Sequence, residues 1–252
     1  MEYSMAELMV AAAAREIRDK EVVFVGMRLP LLAYLLAKET HAKGAFGLFE
    51  NGVVRDFPAL EPLYTMSDPP NILKALRCCD MLTVMSLLQR GVVDVGFIGA
   101  AEVDRFGNIN TTYIRTPHGS TIRLTGSGGA CDIASLSKRL LVIMAHERRR
   151  LVEKVSYITS PGYGTGGGWR KEVGLPRGGP WAVITTKGIM RFDPDSGEAY
   201  LASYHPGVTL EDIRDNTGWD IYIPTDVAMT EPPSPQELMI IRRYDPLGHW
   251  TR

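Results

Sequence analysis

Four short apolar runs limit what this chain can become. Residues 22–25, 45–49, 92–98 and 140–144 are rich in Val, Ile, Leu and Phe and carry almost no polar break. Such strands belong to sheets covered by helices on both faces, because a solvated face would impose polar alternation. The segments between them supply helices. Ser4, with Glu7 three residues on, is a capping box for an Ala-rich helix reaching about residue 18. Pro30 suits the first turn of a helix over 29–38, and Gly91 closes another over 81–90. The succession predicts an α/β fold.

The remaining segments follow the same logic. Pro58, Pro62, Pro69 and Pro70 break any period, so 53–70 reads as irregular, and Asn71 caps a helix over 72–79. Gly107-Asn108 tips a turn that starts at Asp104. Residues 131–137 form a helix behind a glycine loop, and the charged run 146–150 is a solvated loop or helix start. The stretch 157–168 reads as a mobile, glycine-rich lid or inter-subunit loop. Strands follow at 181–185, 189–192 and 198–204, then a helix at 210–216, a strand at 220–223 and a helix at 235–244 behind Ser234-Pro235.

A chain of 252 residues holds one large α/β domain or two small ones. The net charge of −1 points to no nucleic-acid or membrane partner. Three cysteines, two of them adjacent at Cys78-Cys79, form neither a disulfide framework nor a zinc-ligand spacing, and reduced thiols suit a cytoplasmic protein. The first residues lack a basic stretch followed by an apolar one, and no apolar run reaches membrane-spanning length.

The chemistry centres on Glu50. It stands after the run 45–49, at the carboxyl end of a strand, where open α/β sheets bind ligands. Asn51-Gly52 behind it is a turn dipeptide, and a Glu before a turn is ordinarily a solvated surface residue. Two glycine turns give it company. Gly26-Met27-Arg28-Leu29-Pro30 joins a strand to a helix, and either aims N–H groups at a ligand or is only a tight connection. Thr125-Gly126-Ser127-Gly128-Gly129-Ala130 permits close backbone approach, yet its spacing fits neither a phosphate loop nor a dinucleotide fingerprint. Asn110 is polar where a strand would otherwise continue and is a candidate substrate contact. None of the five histidines is assigned a role, and no metal ligand set is read.

The Glu50-Asn51-Gly52 strand end, the Asp104–Asn108 turn and the Gly-Ser-Gly-Gly-Ala loop, in chain order, resemble the β subunit of class I CoA-transferases. The β subunit of the glutaconate CoA-transferase type is the most similar, supported by Thr159-Ser160-Pro161-Gly162, Gly174-Leu175-Pro176 and Asn216-Thr217-Gly218. The resemblance implies one domain over 1–252, an open mixed, mainly parallel sheet with helices on both faces (the CoA-transferase, NagB-RpiA-like fold). It implies CoA transfer between an acyl-CoA and a carboxylic acid, with Glu50 as nucleophile and a glutamyl-CoA thioester as intermediate. Backbone amides near Gly26 and Met27, and near Gly126, Gly128 and Gly129, would hold the oxyanion, with Asn51, Gly52 and Asn110 around the substrate. Coenzyme A is then a substrate, with no permanently bound cofactor, and an α subunit is the partner. Arg28 replaces a small residue of that type, and either clamps a substrate carboxylate or points to solvent. The alternatives are an acyl-CoA or ring-opening hydrolase subunit, or a non-catalytic acyl-CoA-binding subunit.

Overall fold

The computed structural model describes residues 2–116 and 118–252. The chain divides into two compact units. One comprises the residues up to Phe97 together with Glu231–Arg252, the other Ile98–Thr230.

In the first unit, neighbouring strands run in the order Val95–Ile98, Val22–Phe24, Phe46–Leu48, Val53–Arg55, Arg77–Cys78. The first three pair in parallel, with Phe24 opposite Leu48 and Gly96, and the last two pairings are antiparallel. Helices Met5–Arg15, Leu29–Glu39 and Pro235–Tyr244 pack on one another. The four alanines Ala11–Ala14 lie buried on the first of these, where small side chains let helices approach closely. The predicted capping box forms at Ser4/Glu7, and the last helix carries a second at Ser234/Glu237. Arg242 pairs with the buried Glu7 at 2.7 Å, and Arg15 with Glu237 at 2.9 Å.

In the second unit the order is Arg139–Met144, Pro180–Thr185, Gly188–Phe192, Ala199–Tyr204, Ala228–Met229. The outer two pairings are parallel and the inner two are antiparallel hairpins. A small sheet of Leu151–Val152, Glu102–Asp104 and Ile109–Asn110, and a ribbon of Tyr113–Arg115 with Thr121–Arg123, complete it. The architecture is open α/β with mixed strand pairing. The parallel pairings carry the apolar runs, and the antiparallel ones are the hairpins that follow them.

Four expectations need correction. Residues 53–70 are not wholly irregular, because Val53–Arg55 folds back on Phe46–Leu48. No helix covers 72–79. A single turn, Pro69–Ile72, stands there instead, followed by extended Leu73, Lys74 at φ +57° and the strand Arg77–Cys78. Asn71 does not cap it, being fully buried with its amide donating to the Met66 carbonyl at 2.7 Å. At 220–223 the alternation is real, with Ile221 buried and Tyr222 exposed, but pairing stops at the single bridge Tyr200–Tyr222 before Pro224. Gly162, Gly164 and Gly166 of the expected mobile segment are packed rather than free. A Cβ at Gly162 would lie 2.3 Å from Gly107, and one at Gly164 1.9 Å from the Trp169 ring. Asn108 binds the N–H groups of both, at 3.0 Å each.

Candidate active site

Glu50 is carried by a tight hairpin turn of the first unit. Phe49 N donates to Val53 O and Gly52 N to Phe49 O, both at 2.9 Å. They enclose the three-residue hairpin loop Glu50-Asn51-Gly52, whose last residue takes the left-handed bulge position at φ +101°. Only glycine fits there. A Cβ on Gly52 would stand 1.8 Å from the Cys79 carbonyl oxygen. Asn51 spends its side chain on the frame, donating to the Met66 carbonyl at 2.7 Å. The half-buried Glu50 carboxylate, by contrast, has no hydrogen-bond or ion-pair partner among the described residues.

The parallel register brings the Gly26 turn beside this hairpin. Val25 N donates to Leu48 O at 2.8 Å, so the chain leaving Phe24 runs next to the chain entering Glu50. A Cβ at Gly26 would meet Pro30 at 3.3 Å, close enough that the proline ring would have to give by a few tenths of an ångström. Arg28 stands at φ +67°, ψ −127°, directly before the Leu29–Glu39 helix, and no side chain caps that helix. This region suits glycine, and a larger residue there stores about 1–3 kcal/mol of strain. The exposed Arg28 guanidinium lies 5.3 Å from the Trp250 ring centre. Trp250 is held by Asp245, whose buried carboxylate accepts from the backbone N–H of His249, Trp250 and Thr251 at 2.8–3.0 Å. His249 meets Tyr64 edge-on at 5.3 Å. These aromatic supports escape a reading of the sequence because their segments are far apart along the chain and nothing local in either marks the contact.

The second unit holds the other candidates. Gly126 and Gly128 adopt φ +91° and +50°, and a Cβ at either would meet nothing within 4 Å. Backbone conformation, not crowding, demands glycine, and the loop surface beside them is open. Gly126 is fixed by Thr111, donating its N–H to the Thr111 carbonyl and accepting from the Thr111 hydroxyl, each at 2.8 Å. Gly129 precedes the Ala130–Leu136 helix. Against this loop lies a cleft of about 670 Å³ lined by Gly99–Ala101, Thr111, Arg123–Thr125 and Arg150. Of its two arginines, Arg150 belongs to the charged run 146–150, expected to be a solvated loop or helix start, and nothing local in the sequence marks Arg123. Asn110 is fully buried, its amide donating to Glu102 at 2.6 Å and to the Tyr113 carbonyl at 2.7 Å, and its oxygen accepting from Thr112 N. Its hydrogen-bonding capacity is spent inside the unit, so it braces the loop rather than facing a ligand.

Two histidines are buried without lining either place. His146 bonds Thr185 and Thr217 through its two ring nitrogens, and burial, aided by the Lys187 charge, draws its pKa down to about 4. Burial lowers that of His205 as well. The three cysteines are free, and no cluster of three or more His, Cys, Asp or Glu suited to a metal occurs among the described residues. Nor is any helix among them long and apolar enough to cross a membrane.

Known proteins share both the sequence and the backbone. The family model for coenzyme A transferase matches residues 6–216. The β subunit of the 3-oxoadipate CoA-transferase of Pseudomonas knackmussii is 41% identical over 96% of this chain and 94% of its own length. The β subunit of the glutaconate CoA-transferase of Acidaminococcus fermentans is 34% identical over 95% of this chain and 91% of its own. The crystal structure of the A. fermentans glutaconate coenzyme A-transferase superposes with a TM-score of 0.91, covering 100% of this chain and 99% of that one, at 31% identity. A family model spanning most of the chain, two β-subunit relatives aligned nearly end to end and one backbone in common leave a single conclusion, that the chain belongs to the coenzyme A transferase family.

Proposed function

We propose that this chain is the β subunit of an enzyme that moves CoA between an acyl-CoA and a dicarboxylic acid, with Glu50 as the covalent nucleophile. The observation that carries the reading is the Glu50 carboxylate itself. It is half-buried, without a partner among the described residues, and mounted on a turn whose Asn51 side chain and Gly52 backbone are tied down.

The chemistry runs in balanced steps. A Glu50 carboxylate oxygen attacks the thioester carbon, the C–S bond breaks, CoA leaves as the thiolate and a mixed anhydride remains. The thiolate then attacks the glutamyl carbonyl, releasing the first acid as its carboxylate and leaving a glutamyl-CoA thioester. The acceptor carboxylate reverses the sequence. Splitting the exchange this way replaces one hard displacement with easier ones. Each tetrahedral oxyanion needs preorganised donors, worth about 3–4 kcal/mol apiece. The amides around Gly26-Met27, beside the Glu50 hairpin, are our candidates for them. Arg28, steadied by Trp250, is our candidate for the distal carboxylate, since 3-oxoadipate and glutaconate are both dicarboxylates. On this reading residues 1–252 work as one cytoplasmic catalytic domain, CoA comes and goes as substrate, and an α-type subunit completes the enzyme, as the names of the two relatives, each one subunit of a transferase, suggest.

Intact-mass spectrometry tests the reading. The chain, co-purified with its α subunit, is incubated with glutaconyl-CoA, and wild type is compared with Glu50→Gln. A CoA-sized adduct on wild type alone is the expected result. Release of CoA with no adduct in either would assign a hydrolase instead.

A further inference from the structure

Two segments that stand out in the sequence have no part in the proposed chemistry, the Asp104–Asn108 turn and the glycine-rich stretch 162–168. In the second unit they are locked together. The buried Asp104 carboxylate accepts from the backbone N–H of Phe106 and Asn108 at 3.0 Å and from the Asn108 amide at 3.0–3.1 Å. That amide also donates to the Gly164 carbonyl at 2.8 Å, and Tyr163 N donates to Phe106 O at 2.8 Å. The frame so built holds a pair of aromatic rings. A Cβ at Gly166 would stand 2.7 Å from the Phe106 ring, as one at Gly164 would strike Trp169, so the two glycines let the rings lie against backbone. Both rings stay partly exposed, and with Val155 and Ile158 they wall a cavity of about 590 Å³. That volume lies within the range of small-molecule sites, about 300–1,000 Å³, and such sites are lined mainly by apolar and aromatic side chains with a few polar groups.

The polar side chains around the cavity divide by sign. Its two carboxylates are engaged, Asp104 by the turn and Glu153 by Arg105 at 3.8 Å, which Glu198 also holds at 3.2 Å. Three donors are not. The Lys154 ammonium, the Thr165 hydroxyl and the Trp169 indole N–H have no hydrogen-bond or ion-pair partner among the described residues. We propose that this cavity is a binding site for an aromatic monocarboxylate, with the flat body against the Phe106 and Trp169 rings and the carboxylate on Lys154. Aromatic faces favour a flat apolar partner, and an ammonium hydrogen-bonded to a carboxylate is a strong pairing. A short dicarboxylate suits the cavity poorly. It has no flat body for the rings, and its second charge would meet only Arg105, already held by two glutamates. Every lining residue lies within Ile98–Thr230, and the proposal stands without the Glu50 chemistry, which belongs to the other unit.

The probe is 2-naphthoate, titrated into the full chain labelled with 5-fluorotryptophan and followed by fluorine NMR. The four tryptophans give four resonances, assigned by replacing each with Phe in turn. Expected is a saturable shift of the Trp169 resonance, with those of Trp181, Trp219 and Trp250 unmoved. Lys154→Glu should weaken binding about 5-fold or more, because the charge-assisted contact is lost and a like charge takes its place. Thr165→Val, at a second exposed site, should weaken it less. Equal melting temperatures in both variants and wild type show that the fold is intact. The neutral analogue 2-naphthalenemethanol should bind more weakly than 2-naphthoate and ignore Lys154→Glu, and adipate should leave Trp169 unmoved. A Trp169 resonance that stays still at millimolar 2-naphthoate, four resonances that move together, or equal affinity in wild type and Lys154→Glu overturns the site. So does displacement of 2-naphthoate by coenzyme A, which would give the cavity to the transfer reaction instead.

Discussion

Arg28 combines a strained backbone with a guanidinium that our proposal puts to use. Its backbone occupies a region that L side chains resist, and its guanidinium rests on Trp250 a few residues from the chain's end. Both features can be separated by substitution. Arg28→Ala keeps the strain and loses the guanidinium, while Arg28→Gly loses both. Urea unfolding should find the Gly variant more stable than the Ala variant by about 1 kcal/mol, because glycine meets no Cβ penalty at this φ. A charge-assisted bidentate contact carries about 1.5–3 kcal/mol. Both variants should therefore raise KM for a dicarboxylic acceptor by about 10- to 100-fold with kcat little changed. Equal stabilities would show that the turn relaxes around any residue. An unmoved KM would put the substrate carboxylate elsewhere.

At the scale of elements, the buried parallel strands were legible because their burial is written in their composition, and the Glu50 hairpin was half legible. Asn51-Gly52 announced a turn, but the returning strand Val53–Arg55 did not announce itself, since it ends in a charged residue. The arginine is satisfied by carbonyls from a loop up to 18 positions on, an arrangement no local pattern encodes. The same loop defeated the expected helix over 72–79, where burial of Asn71 decided against helical periodicity. Of the site, the Glu50 turn and the glycine loop could be found from sequence, because both need positive φ at glycine. Trp250 and Asp245 could not, and Asn110, polar and strand-terminal, turned out to be wholly engaged inside. The hairpin itself makes a prediction. Gly52→Ala drives a methyl into the Cys79 carbonyl, which cannot retreat while Cys79 N bonds Gly52 O. The loss should be about 3 kcal/mol or more, or roughly 10 °C in Tm for a chain of this size. Gly126→Ala, strained at φ but free of clash, should cost less. A scan in which the two variants melt together would mean that the hairpin gives way easily and does not hold Glu50 rigidly.

At the scale of the whole chain, acid stability should be governed partly by a pair of histidines that have no place in the proposed chemistry. Thr185 serves both, its hydroxyl lying 2.9 Å from His146 Nδ1 and its carbonyl accepting from His205 Nε2 at 2.8 Å. Thr217 meets His146 Nε2, and Thr230 meets His205 Nδ1. The pair thus ties the end of the Pro180–Thr185 strand to the Leu210–Asp215 helix and to Thr230. Both imidazoles are neutral in the folded chain, and burial holds both below the ordinary histidine value, His146 at about 4. The unfolded state therefore binds protons that the folded state refuses as pH falls below about 6.5. Stability present at pH 7.5 should drain away between about pH 6.5 and 4, with about 2–3 kcal/mol of the loss due to His146. Asp104 works in the opposite direction, its carboxyl raised by burial despite its bonds from Asn108, and so offsets part of the total. The histidine share is isolated by His146→Gln, which keeps a polar group but cannot titrate. Urea unfolding of both proteins at about pH 7.5 and 4.5 should find the variant weaker at the higher pH and less sensitive to acid than wild type. Identical pH dependence in the two would show that His146 takes up its proton without unfolding the chain, and that the Thr185 brace is loose enough to admit a charge.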